Sequence, residues 1–245
     1  MLVLHVEAPF AVFRTFTAGW YRPTATFLTP SAAYGLLLNV AGIETRLREE
    51  DEGHKSPVST TLTRSGLPAL KIALGIPVDR RSREAGSTSF PLVQTLYQQT
   101  HVYPVNAANA ATPKEWSMGN KPNISPVRRE LLYGLRALIA VDENPTLEEG
   151  IRRGLSGNFS EERYGLPFLG DNSFLLDRLD IVEKVPAAVW YERLTAHEAK
   201  MRSKTTRLTV RIDRSDFSKT ESALYAPASE SMTIPDLAWT TVLPH

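Results

Sequence analysis

Five histidines, His5, His54, His101, His197 and His245, titrate near neutral pH, and their spacing decides which chemistry they could support. They are scattered: there is no His-x-x-x-His, and no Asp or Glu stands at metal-ligand spacing from them. The 245-residue chain has no cysteine, which excludes disulfides, thiol catalysis and thiolate metal sites. It has no phosphate-binding P-loop and no Gly-x-Ser-x-Gly nucleophile elbow. One arrangement invites a catalytic reading. His54-Lys55 sets a general base beside a cation that could stabilise a phosphate during metal-free RNA cleavage. No metal and no cofactor is expected.

Binding chemistry is better represented. Arg14, Tyr21, Arg22 and Thr24 flank Gly19. Arginines can take phosphates, an aromatic face can stack a base, and glycine lets backbone approach a strand. The same segment also suits a rigid loop whose Trp20 and Phe27 pack on the core while the arginines are solvated. Ser31 reads as a helix cap after Pro30, leaving backbone N–H groups for an anion, with Tyr34 and Gly35 just beyond. A capped helix that merely packs on a sheet is the alternative. Arg80, Arg81 and Arg83 stand beside glycine and serine; His101, Tyr103 and Asn106 follow, then Lys114, Trp116, Lys121, Arg128 and Arg129. Basic residues interleaved with aromatics match single-stranded RNA recognition, although exposed proline-rich loops are also often basic. Arg207, Arg211 and Arg214 read as surface charge, or as contacts to a neighbouring subunit or DNA.

The formal net charge is only +1, but the charge is segregated. Residues 53–141 carry eleven Lys and Arg against four acids, whereas residues 142–200 carry seven against twelve. A basic middle section favours an anionic partner. Hydrophobic residues make up 42%, enough for a real core, and no apolar run approaches the length that crosses a bilayer. The N-terminus lacks the basic-then-apolar order of a signal peptide, and a cytoplasmic location without membrane contact is expected.

Several elements must position these residues. Leu2, Leu4, Val6 and Ala8 alternate with Val3, His5 and Glu7 as a half-buried strand. Ala33, Leu36, Leu37 and Val40 recur at helical spacing, and Gly42 ends that helix. Ala69–Ile76 reads as a second strand, Pro91–Pro104 could form a hairpin, and Leu131–Val141 reads as a central strand. Thr146 with Glu149 predicts a capping box, with Arg152 and Arg153 in the last turn and Gly154 as the stop. A glycine-punctuated stretch, 157–170, leads to a strand-like run 174–185, and Leu208, Val210 and Ile212 form a late strand. Strand, helix, strand, long insertion, strand, helix, strand is the βαββαβ order of an α+β, ferredoxin-like or RRM-like domain.

The run from Pro9, Phe10 and Arg14 through Phe-Thr-Ala-Gly-Trp-Tyr-Arg-Pro-Thr to Phe-Leu-Thr-Pro-Ser-Ala-Ala-Tyr-Gly-Leu-Leu-Leu-Asn-Val-Ala-Gly-Ile-Glu resembles the N-terminal signature of CRISPR-associated Cas family 5, closest to its DevS branch. Gly165-Leu166-Pro167-Phe168-Leu169-Gly170 is similar to that family's glycine-rich loop. The resemblance covers roughly the first 185 residues and implies a RAMP-type RRM-like domain over 1–185. It further implies a β-hairpin thumb inserted at about 77–127 and a β-rich extension over 186–245. It implies a non-catalytic subunit that caps the 5′ handle of a CRISPR RNA in a type I, I-B-like, Cascade surveillance complex. Its partners would be that handle, the backbone (Cas family 7) and large (Cas family 8) subunits and, indirectly, target DNA. The RNA contacts would be the arginine, aromatic and cap residues named above. One branch of the family cleaves precursor RNA with a Tyr, Lys and His set that includes an adjacent Lys-His pair in the thumb. Here the thumb holds His101 and Tyr103 without that pair, and His54-Lys55 lies upstream of the second strand. A metal-independent endoribonuclease and a generic RRM-like binding module remain the alternatives.

Overall fold

Both main helices begin at an asparagine or threonine followed by proline, and this fixes where they start. A computed structural model describes residues 1–15, 20–47, 62–78, 90–102, 123–159 and 165–244. In α1 (Pro30–Val40) Pro30 takes the first helical position, where its missing N–H costs nothing. The cap is therefore Thr29, whose Oγ1 accepts from Ala32 N at 3.2 Å, and not Ser31 as expected. Ser31 sits inside the first turn with its Oγ 3.1 Å from Thr29 Oγ1. In α2 (Pro145–Leu155) the same logic displaces the expected Thr146 cap: Asn144 Oδ1 accepts from Leu147 N at 3.0 Å. The predicted capping box does not form there. Gly42 does end α1, in the left-handed conformation (φ 74°), with Ile43 N donating to Leu38 O and Gly42 N to Asn39 O.

Gly154 does not stop α2, which continues to Leu155 with Ser156 as its cap. Its role is close packing. A Cβ at Gly154 would lie 1.7 Å from Val40 O, so only glycine lets α2 cross the end of α1.

The sheet is built from β1 (Leu2–Ala11), β2 (Tyr21–Arg22), β3 (Leu70–Pro77), β4 (Leu92–Val102), β5 (Asn123–Val141), β6 (Arg178–Ile181), β7 (Ala188–Leu194), β8 (Thr206–Arg211), β9 (Glu221–Ser231) and β10 (Thr240–Val242). Its path is β6-β1-β5-β3-β7-β9-β8, with β2 and β4 on β5 and β10 on β3. The elements β1, α1, β3, β5, α2 and β6 occur in the βαββαβ order read from the sequence, within a sheet-rich α+β fold that has few helices. Two strand predictions need correction. β5 begins eight residues before Leu131, and Leu92–Val102 is one continuous strand whose hairpin partner is β5 rather than a second half of itself.

Leu2, Leu4, Val6 and Ala8 join Leu36, Leu37, Ile139 and Ile151 in the main core beneath the helices. The other face of β1 was expected to be open, yet Val3 and His5 are buried as well. Val3 belongs to a second cluster with Leu138, Ala140, Ala188, Trp190 and Ala238. Trp190 lies so close to β3 that a Cβ at Gly75 would come within 2.8 Å of its ring. The C-terminal strands also bend back over α1, where Thr26 Oγ1 donates to Thr206 Oγ1 at 2.7 Å. Among the described residues, no helix is long and apolar enough to cross a membrane.

Candidate nucleic-acid interface

The chain leaving β1 doubles back on itself. Phe13 N donates to Thr24 Oγ1 at 2.9 Å, Ala25 N donates to Phe13 O at 2.8 Å, and Arg14 bridges Thr24. Thr24 is buried and its hydroxyl is consumed by this clip. Phe27 is also buried, stacked on Tyr191 with ring centroids 4.4 Å apart, while Trp20 is 67% exposed. The two aromatics expected to anchor the loop therefore divide, one to the core and one to the surface.

β2 lies parallel to β5 with Tyr21 beside Arg128 and Arg22 beside Arg129. The Tyr21 hydroxyl donates to Glu130, which raises its pKa, and Glu130 Oε2 accepts from Thr24 N at 3.1 Å. The Arg128 guanidinium stands 5.1 Å from the Tyr21 ring, and Tyr97 faces Arg128 from β4. Tyr21, Tyr97 and Arg128 thus form an exposed platform of aromatic faces and a cation, the composition that stacks bases and neutralises phosphates, while exposed Arg22 stands one residue along, beside Arg129 on the opposite face of the sheet.

Arg129 is engaged differently. Its guanidinium donates to Asp171 Oδ2 at 2.6 Å and lies 5.6 Å from the Phe174 ring, so it ties the β4–β5 ribbon to the loop after α2. That bond holds the Asp171 carboxyl below its ordinary pKa. A depressed carboxylate pKa contributes stability above the unfolded value, lost as pH falls through the folded one. Asp171→Asn should therefore lower the melting temperature at neutral pH. The deficit should fade below about pH 4, where the wild-type carboxyl protonates as well. A deficit that persists unchanged at low pH would show that the ion pair carries none of this stability.

The same loop walls a cleft of ≈ 690 Å³. Gly170 (φ 80°) abuts Val12, Val12 N donates to Leu169 O at 3.1 Å, and Phe168 faces the opening. The opposite walls are the first turns of α1, through Ser31 and Gly35, and the segment after β8, through Arg214 and Phe217. Arg14 and Arg214 both reach this cleft, are exposed, and make no ion pair among the described residues. Arg46 also lines it but is bound by Glu44 through two short contacts, 2.6 and 3.0 Å. Tyr34 lies elsewhere: its hydroxyl donates to Pro68 O at 2.9 Å, and burial pushes its pKa up to about 12.

Of the residues picked from sequence, the fold brings Arg14 and Ser31 together in the cleft and Tyr21 and Arg128 together on the platform, with Arg22 exposed beside Arg129. Thr24, Tyr34 and Arg129 are engaged within the fold. His101 is on β4 opposite Ile124. Arg80, Arg81, Arg83, Tyr103, Asn106, Lys114, Trp116 and Lys121 lie outside the described residues, as do His54 and Lys55. Sequence reasoning named Phe168 only as part of the glycine-rich loop, missed Phe217, and read Arg214 as surface charge or as a contact to a neighbouring subunit or DNA. No local pattern puts them together, because the cleft's walls come from segments far apart in the chain. Among the described residues no cluster of His, Asp and Glu could hold a metal ion.

Comparison with known proteins gives the fold and the family. A solved chain of a "CRISPR RNA-guided surveillance complex" superposes with a TM-score of 0.53 at 12% identity, covering 94% of this chain and 90% of that one. A second structure, "Crystal structure of Cas protein", gives a TM-score of 0.43 at 12% identity, covering 93% of each chain. No curated protein matches the sequence. The profile of the family described as CRISPR-associated protein (Cas_Cas5) matches residues 1–154, more than half of the chain. With the alternating strand, the doubled-back arginine loop and the proline-started helix all inside that span, this chain belongs to Cas family 5.

Proposed function

We propose that this protein is the RNA-binding, non-catalytic subunit that caps the 5′ handle of the guide in a type I CRISPR surveillance complex. The βαββαβ core is read as its ferredoxin-like RAMP domain and the β4–β5 ribbon as its thumb. The observation that carries the reading is the cleft in which Arg14 and Arg214, without an ion pair among the described residues, the start of α1 and exposed Phe168 and Phe217 face one space. Two cations, a backbone N–H at a helix start and aromatic faces are what an unstacked single-stranded terminus requires. The platform of Tyr21, Tyr97 and Arg128 adds a second basic and aromatic surface along β5. A generic RRM mode is disfavoured, because the sheet face on which such modules stack bases is covered here by Trp190 and its cluster. Neighbouring backbone and large subunits would share the bound RNA, and target recognition would belong to guide pairing.

The test is a labelled repeat RNA incubated with the purified chain and chelator. Binding should weaken steeply with salt, each neutralised phosphate adding roughly 0.7 to the log–log slope for a single strand. The RNA should remain intact. Site-specific cleavage that disappears in His54→Ala or His101→Ala would replace this reading with the endoribonuclease. Salt-independent binding would remove the phosphate contacts from it.

A further inference from the structure

β5 changes partners along its length. Its end, from Leu138 to Val141, lies between β1 and β3, whereas its start pairs with β4 and, at Arg128 and Arg129, with β2. The change is centred on Gly134, which is left-handed at φ 69°. A Cβ there meets nothing within 4 Å, so the glycine serves the backbone conformation and not a contact. The β1 ladder steps over it, from Ala8–Leu135 to Phe10–Tyr133. At the same level the core-facing residues of β5 shift from Ile139, Ala137 and Leu135 to Leu132, and those of β1 from Val6 and Ala8 to Ala11. The β4–β5 ribbon therefore turns away from the body at a glycine bend.

Two consecutive residues just beyond this bend reach the walls of the cleft. Successive side chains of a strand point to opposite faces, and Arg129 and Glu130 use both. Arg129 grips Asp171 and Phe174, in the loop that brings Phe168 and Gly170 to the cleft. The Phe174 ring also lies 5.9 Å from Phe10, which in turn lies 5.9 Å from Tyr133. On the other face Glu130 accepts from Thr24 N and from the Tyr21 hydroxyl, and Thr24 is the residue clipped to Phe13 and bridged to Arg14. One face of the ribbon thus holds the Phe168 wall and the other the Arg14 wall. We propose that Arg129 and Glu130 are positioning residues through which the ribbon sets the spacing of these two walls, so that a single RNA touching ribbon and cleft engages them cooperatively. The proposal rests on the RNA-capping function above. The Arg129–Asp171 side chains are only 14% and 21% exposed, so salt screens their link weakly and the link can transmit a displacement. Order that the ribbon contact imposes on the walls need not be supplied again by the cleft contact, which is the origin of positive coupling.

The test uses the full chain and a labelled repeat RNA. Tyr97→Ala removes an exposed ring from the ribbon, and Arg214→Ala an exposed cation from the cleft. Independent sites this far apart should give affinity losses that multiply to within about twofold. In the wild-type background the double variant should instead lose at least about threefold less than the product of the two single losses. With Asp171→Asn or Glu130→Ala in the background the losses should multiply. Arg129→Asp should act like Asp171→Asn, and Arg129→Asp with Asp171→Arg should restore the coupling. A second measurement needs no RNA. The chain has no cysteine, so Leu166→Cys and Lys219→Cys can carry a pair of spin labels across the cleft. Their distance distribution should broaden or lengthen in Asp171→Asn, at a temperature where circular dichroism shows the protein folded. Losses that already multiply in the wild type, or a label distance unmoved by Asp171→Asn, would overturn the proposal. If neither Tyr97→Ala nor Arg214→Ala weakens RNA binding, the capping function itself fails, and the label distance still decides whether the ribbon positions the walls.

Discussion

On the proposed function, charge reversal at Arg14 and Arg22 together should remove this protein from a guide complex without unfolding it. Both side chains are exposed and neither makes an ion pair among the described residues, so nothing in the core depends on their charge. Arg14 reaches the cleft beside the start of α1, and exposed Arg22 stands beside Arg129 at the base of the β4–β5 ribbon. A charge-assisted contact contributes about 1.5–3 kcal/mol, so losing two is worth at least ~3 kcal/mol, roughly a hundredfold in affinity. The two glutamates add repulsion on top. The double variant should therefore express, melt like the wild type, and fail to co-purify with full-length guide. Arg152→Glu is the contrasting case. Arg152 donates to Glu148 at 2.8 Å on the exposed face of α2, a pair typically worth about 0.2–0.5 kcal/mol, and it lies outside both cleft and platform. It should be tolerated. Guide recovered at wild-type yield with the double variant would mean that this loop is structural.

Gly170→Ala should cost the most stability of any single methyl in the loop after α2. The residue is left-handed, at φ 80°, and an added Cβ would sit 1.6 Å from Val12 O. The backbone conformation alone costs about 1–2 kcal/mol for an L side chain. The overlap cannot be relieved by a rotamer, because its partner is backbone. The loop must withdraw from Val12, breaking the 3.1 Å bond from Val12 N to Leu169 O. A loss of roughly 2–4 kcal/mol is expected, seen as a lower melting temperature. On the proposed function, handle binding should fall even at temperatures where the protein is folded, since Phe168 moves with the loop. Gly165→Ala separates the two effects: it is also left-handed, at φ 70°, but a Cβ there meets nothing within 4 Å. It should show the conformational cost alone. Equal losses in the two variants would mean that the contact with Val12 does not matter.

Local grammar was readable where one residue carries the cause. The alternation of Leu2 to Ala8 gave the first strand, and Gly42 ended α1 through its left-handed conformation. The errors share causes too. Pro30 and Pro145 each claim the first helical position, which moves the cap two residues upstream from where Ser31 and Thr146 suggested. Gly154 looks like a stop signal in one dimension, and its function is a contact with Val40 that exists only in three. The first half of β5 was hidden because Pro126, Arg128, Arg129 and Glu130 break the apolar pattern, and this stretch is held by pairing with β4 rather than by burial of a face. In the candidate site, Arg14 and Ser31 were legible because they are near neighbours in the chain. Arg129 looked like a phosphate contact, and only the fold reveals Asp171 beside it.

The return of β8 onto α1 has a consequence for the order of events during synthesis. β1 pairs with β5 across some 140 positions, β3 with β10 across about 170, and Thr26 with Thr206 across 180. Contacts this distant in sequence form late, after the chain has paid its loop-closure entropy. A ribosome-bound chain that has emerged only through β6 already holds the Val12–Arg14 turn and the glycine-rich loop, but lacks Arg214 and Phe217. The cleft is then a half-open trough that holds Arg14, and Arg46 bound to Glu44, but not yet Arg214. If the cleft takes a guide end as proposed, it can clasp that end on both sides only after translation has passed β8 and the segment that follows it.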